Sequence, residues 1–327
     1  MILKTRKGMI AGIILMLLLT VSLIFSAIFA CGVRPARAAE APDYKYEYPK
    51  VQELTLPSVL SDGMVLQQDK QVHIWGLTVF GKEVTASLLD AEGASLASGK
   101  ATADADGKFD IYFDGQDASF AKYTVKVQDD TKEIVISDVL FGEVWLTGGQ
   151  SNMELQLQYL IGGPDLIRAA RADTKYENFR IFLEPTMPEG MTIESDFAYL
   201  PQFDIAGARW GYANDKDDLK IVSGLAYACA QQMFEELNAD GQEVPVAIMN
   251  TAVGATSIEA WMSRTSIDET QEVVNWLKNI KKNYVSWEAW NTTKVEKFNQ
   301  MTALFNEKIA PIAGYPVKGL LRRCFCN

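Results

Sequence analysis

The sequence predicts an α/β domain, a parallel sheet with flanking helices, preceded by a β-sandwich module. Three observations carry that prediction. Residues 54–137 hold short alternating runs broken by Asp62-Gly63, Glu92-Gly93 and Asp106-Gly107, the spacing of short strands joined by tight turns. From Asp138 the pattern changes to continuous apolar runs separated by helical stretches, as βα units require. One apolar run stops at Gly148-Gly149 and is followed by Ser151, which puts a hydroxyl at the carboxyl end of a strand, where open α/β sheets keep their sites.

Taken in order, residues 1–38 read as a signal peptide. Lys4, Arg6 and Lys7 precede an apolar run over 9–30, and Ala36-Arg37-Ala38 suits signal peptidase. Cleavage after Ala38 implies export to the extracellular space or the cell surface. The alternative is a retained anchor, because the run is long enough to span a bilayer; Cys31 fits a lipidation site badly, with Phe29 before Ala30. Membrane association is expected only through an uncleaved segment. Residues 39–53, rich in Pro, Tyr and charge, read as a linker.

Within 54–137, strands are expected at 72–75, 84–88, 109–113 and 123–127. Asp104-Ala105-Asp106-Gly107 resembles the start of a calcium loop, but no glutamate follows at the required spacing, so a hairpin turn is expected. In the α/β part, 138–321, strands are expected at 139–146, 179–183, 244–249 and 317–321. A helix is expected at 224–237, with Phe234 and Leu237 on its apolar face and Cys229 as a buried thiol. Residues 322–327 stand apart as a tail.

Without residues 1–38 the chain carries 26 Lys and Arg against 42 Asp and Glu, a formal charge of −16. So acidic a body disfavours nucleic acid and anionic lipid as partners. It would also repel an anionic sugar at long range unless a local arginine intervened. With four cysteines and one histidine, no metal-ligand spacing is visible, so neither metal nor other cofactor is expected. Asn291-Thr292-Thr293 matches a glycosylation acceptor by spacing alone.

Ser151 needs a base and oxyanion donors to act as a nucleophile; the competing reading is a helix cap by Ser151 or Asn152. The run Val144-Trp145-Leu146-Thr147-Gly148-Gly149-Gln150-Ser151-Asn152-Met153-Glu154 tips the balance when read with three other stretches. These are 56–67 upstream, Gly254-Ala255-Thr256-Ser257-Ile258-Glu259-Ala260-Trp261, and 302–311 with 317–321 near the end. Together they resemble the sialate O-acetylesterase family, over most of residues 54–321.

The resemblance implies a flavodoxin-like SGNH serine hydrolase that removes acetate from O-acetylated sialic acids or, in related enzymes, from xylan. It implies Ser151 as nucleophile, the Ser151 and Gly254 amides as oxyanion donors, and supporting roles for Gln150, Asn152, Glu259 and Trp261. Glu259 would hold the loop, a solvated first-turn glutamate being the alternative; Trp261 would wall the sugar pocket or join the core. Glu154 is expected in the first turn of a helix and not as a base. The family has Gly-Gly-Thr where this chain has Gly254-Ala255-Thr256, a departure that matters only if Ala255 needs positive φ.

The family's Trp-Tyr-Gln-Gly-Glu-x-Asn and Asp-x-x-His are absent after Leu321, so a carboxyl-terminally truncated chain with an incomplete sheet, exposed sheet edges and no catalytic Asp or His is expected. His73, the single histidine, falls in a strand-like run far upstream. The chain alone is therefore expected to be inactive. The alternative function is a non-catalytic exported carbohydrate-binding or cell-surface protein.

Overall fold

The computed structural model describes residues 48–186, 198, 200–281 and 299–323. The apolar run and cleavage pattern of residues 1–38, Cys31, Asn291, Cys324 and Cys326 lie outside the described residues. Among the described residues no helix is long and apolar enough to cross a membrane.

The amino-terminal strands form where alternation predicts them: β1 (Val65–Gln67), β2 (Val72–Leu77), β3 (Glu83–Leu89), β4 (Ser95–Thr102), β5 (Lys108–Phe113) and β6 (Ser119–Gln128). The Asp104 stretch is a turn. Its side chain accepts hydrogen bonds from the Asp106 and Lys108 amides, each at 2.9 Å, and Gly107 closes it at φ +80°. β2 and β5 pair antiparallel as a small sheet of their own.

A sandwich sealed off from the α/β part is not what the remaining strands build. They are joined to it by one 17-residue strand, β7 (Glu133–Gly149). Its first part pairs antiparallel with β6, and its second part pairs parallel with later strands. The nine-stranded sheet therefore runs β4-β3-β6-β7 and onward without interruption, with β1 also on β7.

β7 bends at Asp138, which has φ +56°, a backbone state that Asp tolerates better than most residues. Its carboxylate accepts from Arg180 Nη1 at 2.9 Å and from the Tyr212 hydroxyl at 2.8 Å, and pairs with Lys122 Nζ at 2.9 Å. Arg180 is fully buried, lies over the Tyr212 ring at 4.2 Å, and also donates to the Gly63 and Glu177 carbonyls. These contacts pin the bend to β8 (Phe179–Leu183), β9 (Arg209–Tyr212) and the turn before β1.

Beyond the bend the sheet is α/β in character, though mixed. β10 (Val246–Ala252) and β8 continue parallel, β9 turns antiparallel at one edge, and β11 (Gly319–Arg323) pairs parallel with the other side of β7. Leu320 on β11 is 57% exposed. The helices beside the sheet are α1 (Ser151–Glu154), α2 (Gly163–Arg171), α3 (Lys216–Ile221), α4 (Gly224–Leu237), α5 (Arg264–Asp268) and α6 (Gln271–Trp276).

Helix α4 spans the residues expected, capped by Ser223 Oγ accepting from the Ala226 amide at 3.2 Å. Two expectations on it are corrected. Its buried face is Gly224, Ala226, Tyr227, Ala230 and Phe234, with spacings of three and four that leave Cys229 on the opposite side, where it is a free, exposed thiol. Leu237 is 37% exposed, so the apolar face ends at Phe234.

Candidate active site

Ser151 stands where β7 ends. Gly149 has φ +153°, which only glycine adopts readily, and the chain turns there from strand into the one-turn helix α1. Gln150 occupies the cap position without a side-chain cap bond, and Ser151 is the first helical residue. Neither Ser151 nor Asn152 caps the helix, which removes the competing reading of both. Ser151 and Asn152 are exposed, and among the described residues the Ser151 hydroxyl makes no hydrogen bond.

The Gly254 loop arrives from β10, the parallel neighbour whose last residue, Ala252, lies opposite Gly149. A Cβ on Gly254 would stand 3.3 Å from Ser151 Oγ and would collide with the Glu154 carboxylate, so any side chain there would have to push that carboxylate aside. The Gly254 amide donates to Glu154 Oε2 at 2.8 Å. Glu154 is thus in the first turn, as expected, but its carboxylate turns back onto the amide that the sequence assigned to the oxyanion.

Ala255 has φ +59°. The position does need the left-handed backbone that the family's glycine would supply, at a cost of about 1–2 kcal/mol for alanine. Asn299 clamps the strained loop: its Nδ2 donates to the Ala255 carbonyl at 3.0 Å and its Oδ1 accepts from the Ser257 amide at 2.7 Å. Asn299 was not visible as a site residue, since an isolated asparagine carries no spacing signal.

The remaining positions form one connected wall. Gln150 Nε2 donates to the Thr256 carbonyl, and Trp261 Nε1 donates to Thr256 Oγ1 at 2.9 Å. Trp261 lines a cavity of about 640 Å³ together with Gly149, Gln150, Thr256, Phe305 and Arg322, a size suited to a small ligand. Arg322 is exposed and brings a cation to that wall. Glu259 is 2% exposed, not solvated, and its carbonyl accepts from the Thr302 amide at 2.8 Å.

Thr302 opens the 302–311 stretch, which is held from below by Lys308. The Lys308 ammonium donates to the Pro185 carbonyl at 2.7 Å and pairs at 3.1 Å with Glu184, both side chains being almost fully buried. Burial pushes the Glu184 carboxyl up to about 7, against the pull of Lys308.

His73 is on β2 and does not join this cluster. Its ring nitrogens face Asp110 Oδ1 at 2.8 Å and the Gly314 carbonyl at 2.9 Å, and the ring stacks on Tyr112 at 4.3 Å. Its side chain is 11% exposed. Among the described residues no group of three or more His, Cys, Asp or Glu is placed to hold a metal ion.

No family model matches the chain. Sialate O-acetylesterase of Rattus norvegicus is 24% identical over 217 residues, covering 64% of this chain and 38% of the relative. The Homo sapiens enzyme is 24% identical over 221 residues, with 64% and 39% covered. A carbohydrate acetylesterase from Xanthomonas citri superposes with a TM-score of 0.62 at 29% identity, covering 83% of this chain and 51% of that structure. The chain spans about two fifths of the curated relatives it matches and half of the solved one. The family resemblance read from the motifs and the α/β class both stand on these likenesses.

Proposed function

We propose that this chain, which resembles sialate O-acetylesterases in sequence and a carbohydrate acetylesterase in structure, carries the acyl-transfer site of a carbohydrate O-acetylesterase. Ser151 Oγ attacks the acetyl carbonyl, the sugar oxygen leaves with a proton as a free hydroxyl, and water releases acetate from the acetyl-serine. The observation that carries the reading is the exposed Ser151 hydroxyl, on a glycine turn at the carboxyl end of β7, facing the glycine that follows β10.

The sugar would rest in the cavity walled by Trp261, whose ring suits an apolar sugar face and whose indole N–H is already satisfied by Thr256. Arg322 on the same wall offers a partner for an acidic sugar, whereas the acidic body as a whole favours a neutral acetylated one.

The only histidine of the 327 residues is engaged by Asp110 and Gly314, so Ser151 has no imidazole base within this sequence. The expected rate of the chain by itself is low, since loss of a triad member costs several orders of magnitude. Ser151 is exposed, so an imidazole added in solution can reach its hydroxyl and take the proton. Acetate release from an aryl acetate and from acetylated sugars should therefore rise with added imidazole and vanish in Ser151→Ala. Release that is the same in Ser151→Ala, with or without imidazole, refutes the assignment.

Export is part of the same proposal, supported by residues 1–38. Secreted material should begin at Ala39; recovery with Met1 intact, or with a lipidated Cys31, refutes cleavage.

A further inference from the structure

We infer that the Gly254 amide is an anion position which the chain itself fills: the Glu154 carboxylate occupies it at rest, and a small carboxylate such as acetate enters by displacing it. The extension to an ester's acyl oxygen rests on the esterase reading above; the acetate inference stands on geometry alone.

The contact has the length of a charge-assisted hydrogen bond, 2.8 Å from Gly254 N to Glu154 Oε2. An oxyanion formed by attack at Ser151 needs a donor close by, and Ser151 Oγ and Glu154 Oε2 both lie close to the position that a Cβ on Gly254 would take. One donor cannot serve both oxygens fully. Glu154 is also poorly held. Among the described residues the Gly254 amide is the one donor that meets its carboxylate, and no cation pairs with it. The residue ends a helix of a single turn and is half-buried, so a change of side-chain rotamer suffices to open the position.

The consequence is a competition. Hydrogen bonds to charged groups are worth enough that removing the resident carboxylate should tighten binding of an incoming one about tenfold or more. A truncation to alanine vacates the position, whereas Glu154→Gln keeps a weaker, neutral acceptor in it. The two variants separate occupancy of the amide from a general loss of negative charge, which they share.

The test follows the Gly254 amide resonance by NMR in the full chain while sodium acetate is added. In the unmodified protein the amide proton should lie downfield and move little with acetate. In Glu154→Ala it should shift upfield without acetate and return downfield on titration, with an acetate Kd at least about tenfold below that of the unmodified protein; Glu154→Gln should fall between. An amide shift identical in all three proteins overturns the inference, as does an acetate affinity equal in all three or raised equally in the two variants. Should Glu154→Ala fail to fold, the Glu154→Gln shift alone decides, since loss of the carboxylate must still move the resonance. The titration reads Gly254 and Glu154 alone, so failure of the esterase reading shows separately, as acetate release that does not depend on Ser151.

Discussion

The bend of β7 at Asp138 and the turn beyond its end at Gly149, which carries Ser151, are separated by eleven residues of strand and treat their polar groups in opposite ways. At the bend, a positive φ is stabilised by Arg180, Tyr212 and Lys122 converging on one carboxylate. At the turn, the positive φ of Ala255 is held by a neutral asparagine on its carbonyl, and the Ser151 hydroxyl has no partner among the described residues. Both regions depart from relaxed backbone. The difference lies in what the departure obtains: the bend gains a set of buried bonds, whereas the turn gains an open hydroxyl and a crowded glycine, which is where proteins store strain for chemistry.

If that contrast is right, the largest stability loss in the molecule should come from the bend. Asp138→Ala leaves the fully buried Arg180 guanidinium with carbonyl partners only, and should cost about 3–5 kcal/mol in urea unfolding. Asp138→Asn tolerates the same backbone state and removes the charge alone, so it should recover part of the loss. An alanine variant within about 0.5 kcal/mol of the unmodified protein would erase the distinction between the two regions.

Titration gives a smaller version of the same effect. Burial alone would raise the Asp138 carboxyl, but hydrogen bonds from Arg180, Lys122 and Tyr212 outweigh it and hold it at about 2, against an ordinary 3.8. A depressed carboxyl contributes stability above its ordinary value and loses it as pH falls toward the folded one. The chain should lose about 1–2 kcal/mol between roughly pH 4 and pH 2, partial solvent exposure trimming the full shift. Asp138→Asn should flatten that part of the profile.

The sequence made the turn more legible than the bend, and the reason is physical. Ser151, Gly254 and Trp261 occur in contiguous motifs, so their types and spacings advertise them. The strand at 109–113 and the helix at 224–237 are equally readable because burial on one face imposes a period, and the strand at 179–183 because burial on both faces gives a nearly continuous apolar run. Asp138 reads only as the place where the pattern changes, since its partners Arg180 and Tyr212 lie 42 and 74 residues away. β4 gives no such signal, because Ser95–Thr102 is an exposed edge whose small polar residues show no apolar alternation. β9 gives none either, being a four-residue antiparallel edge. The Glu154 contact was out of reach for the same reason as Arg180, joining residues 100 positions apart.

The strain at Ala255 should be directly measurable. Ala255→Gly relieves the left-handed backbone at a position where Asn299 already fixes the loop, and should stabilise the chain by about 1 kcal/mol after the added freedom of the unfolded glycine is set against it. A destabilisation would mean that the alanine methyl makes a contact worth more than the strain it causes.

The smallest expected effect on stability is at Ser151 itself, and it completes the contrast. An exposed hydroxyl without a partner contributes nothing that unfolding can remove, so Ser151→Ala should unfold within about 0.5 kcal/mol of the unmodified protein. Imidazole-dependent acetate release should nevertheless disappear. A residue whose loss abolishes turnover while stability stays put is held in place for chemistry alone, which is what the open turn implies and the paired bend does not. A Ser151→Ala loss of 2 kcal/mol or more would show that the hydroxyl is a structural group, and would put the nucleophile assignment in the same class as Asp138.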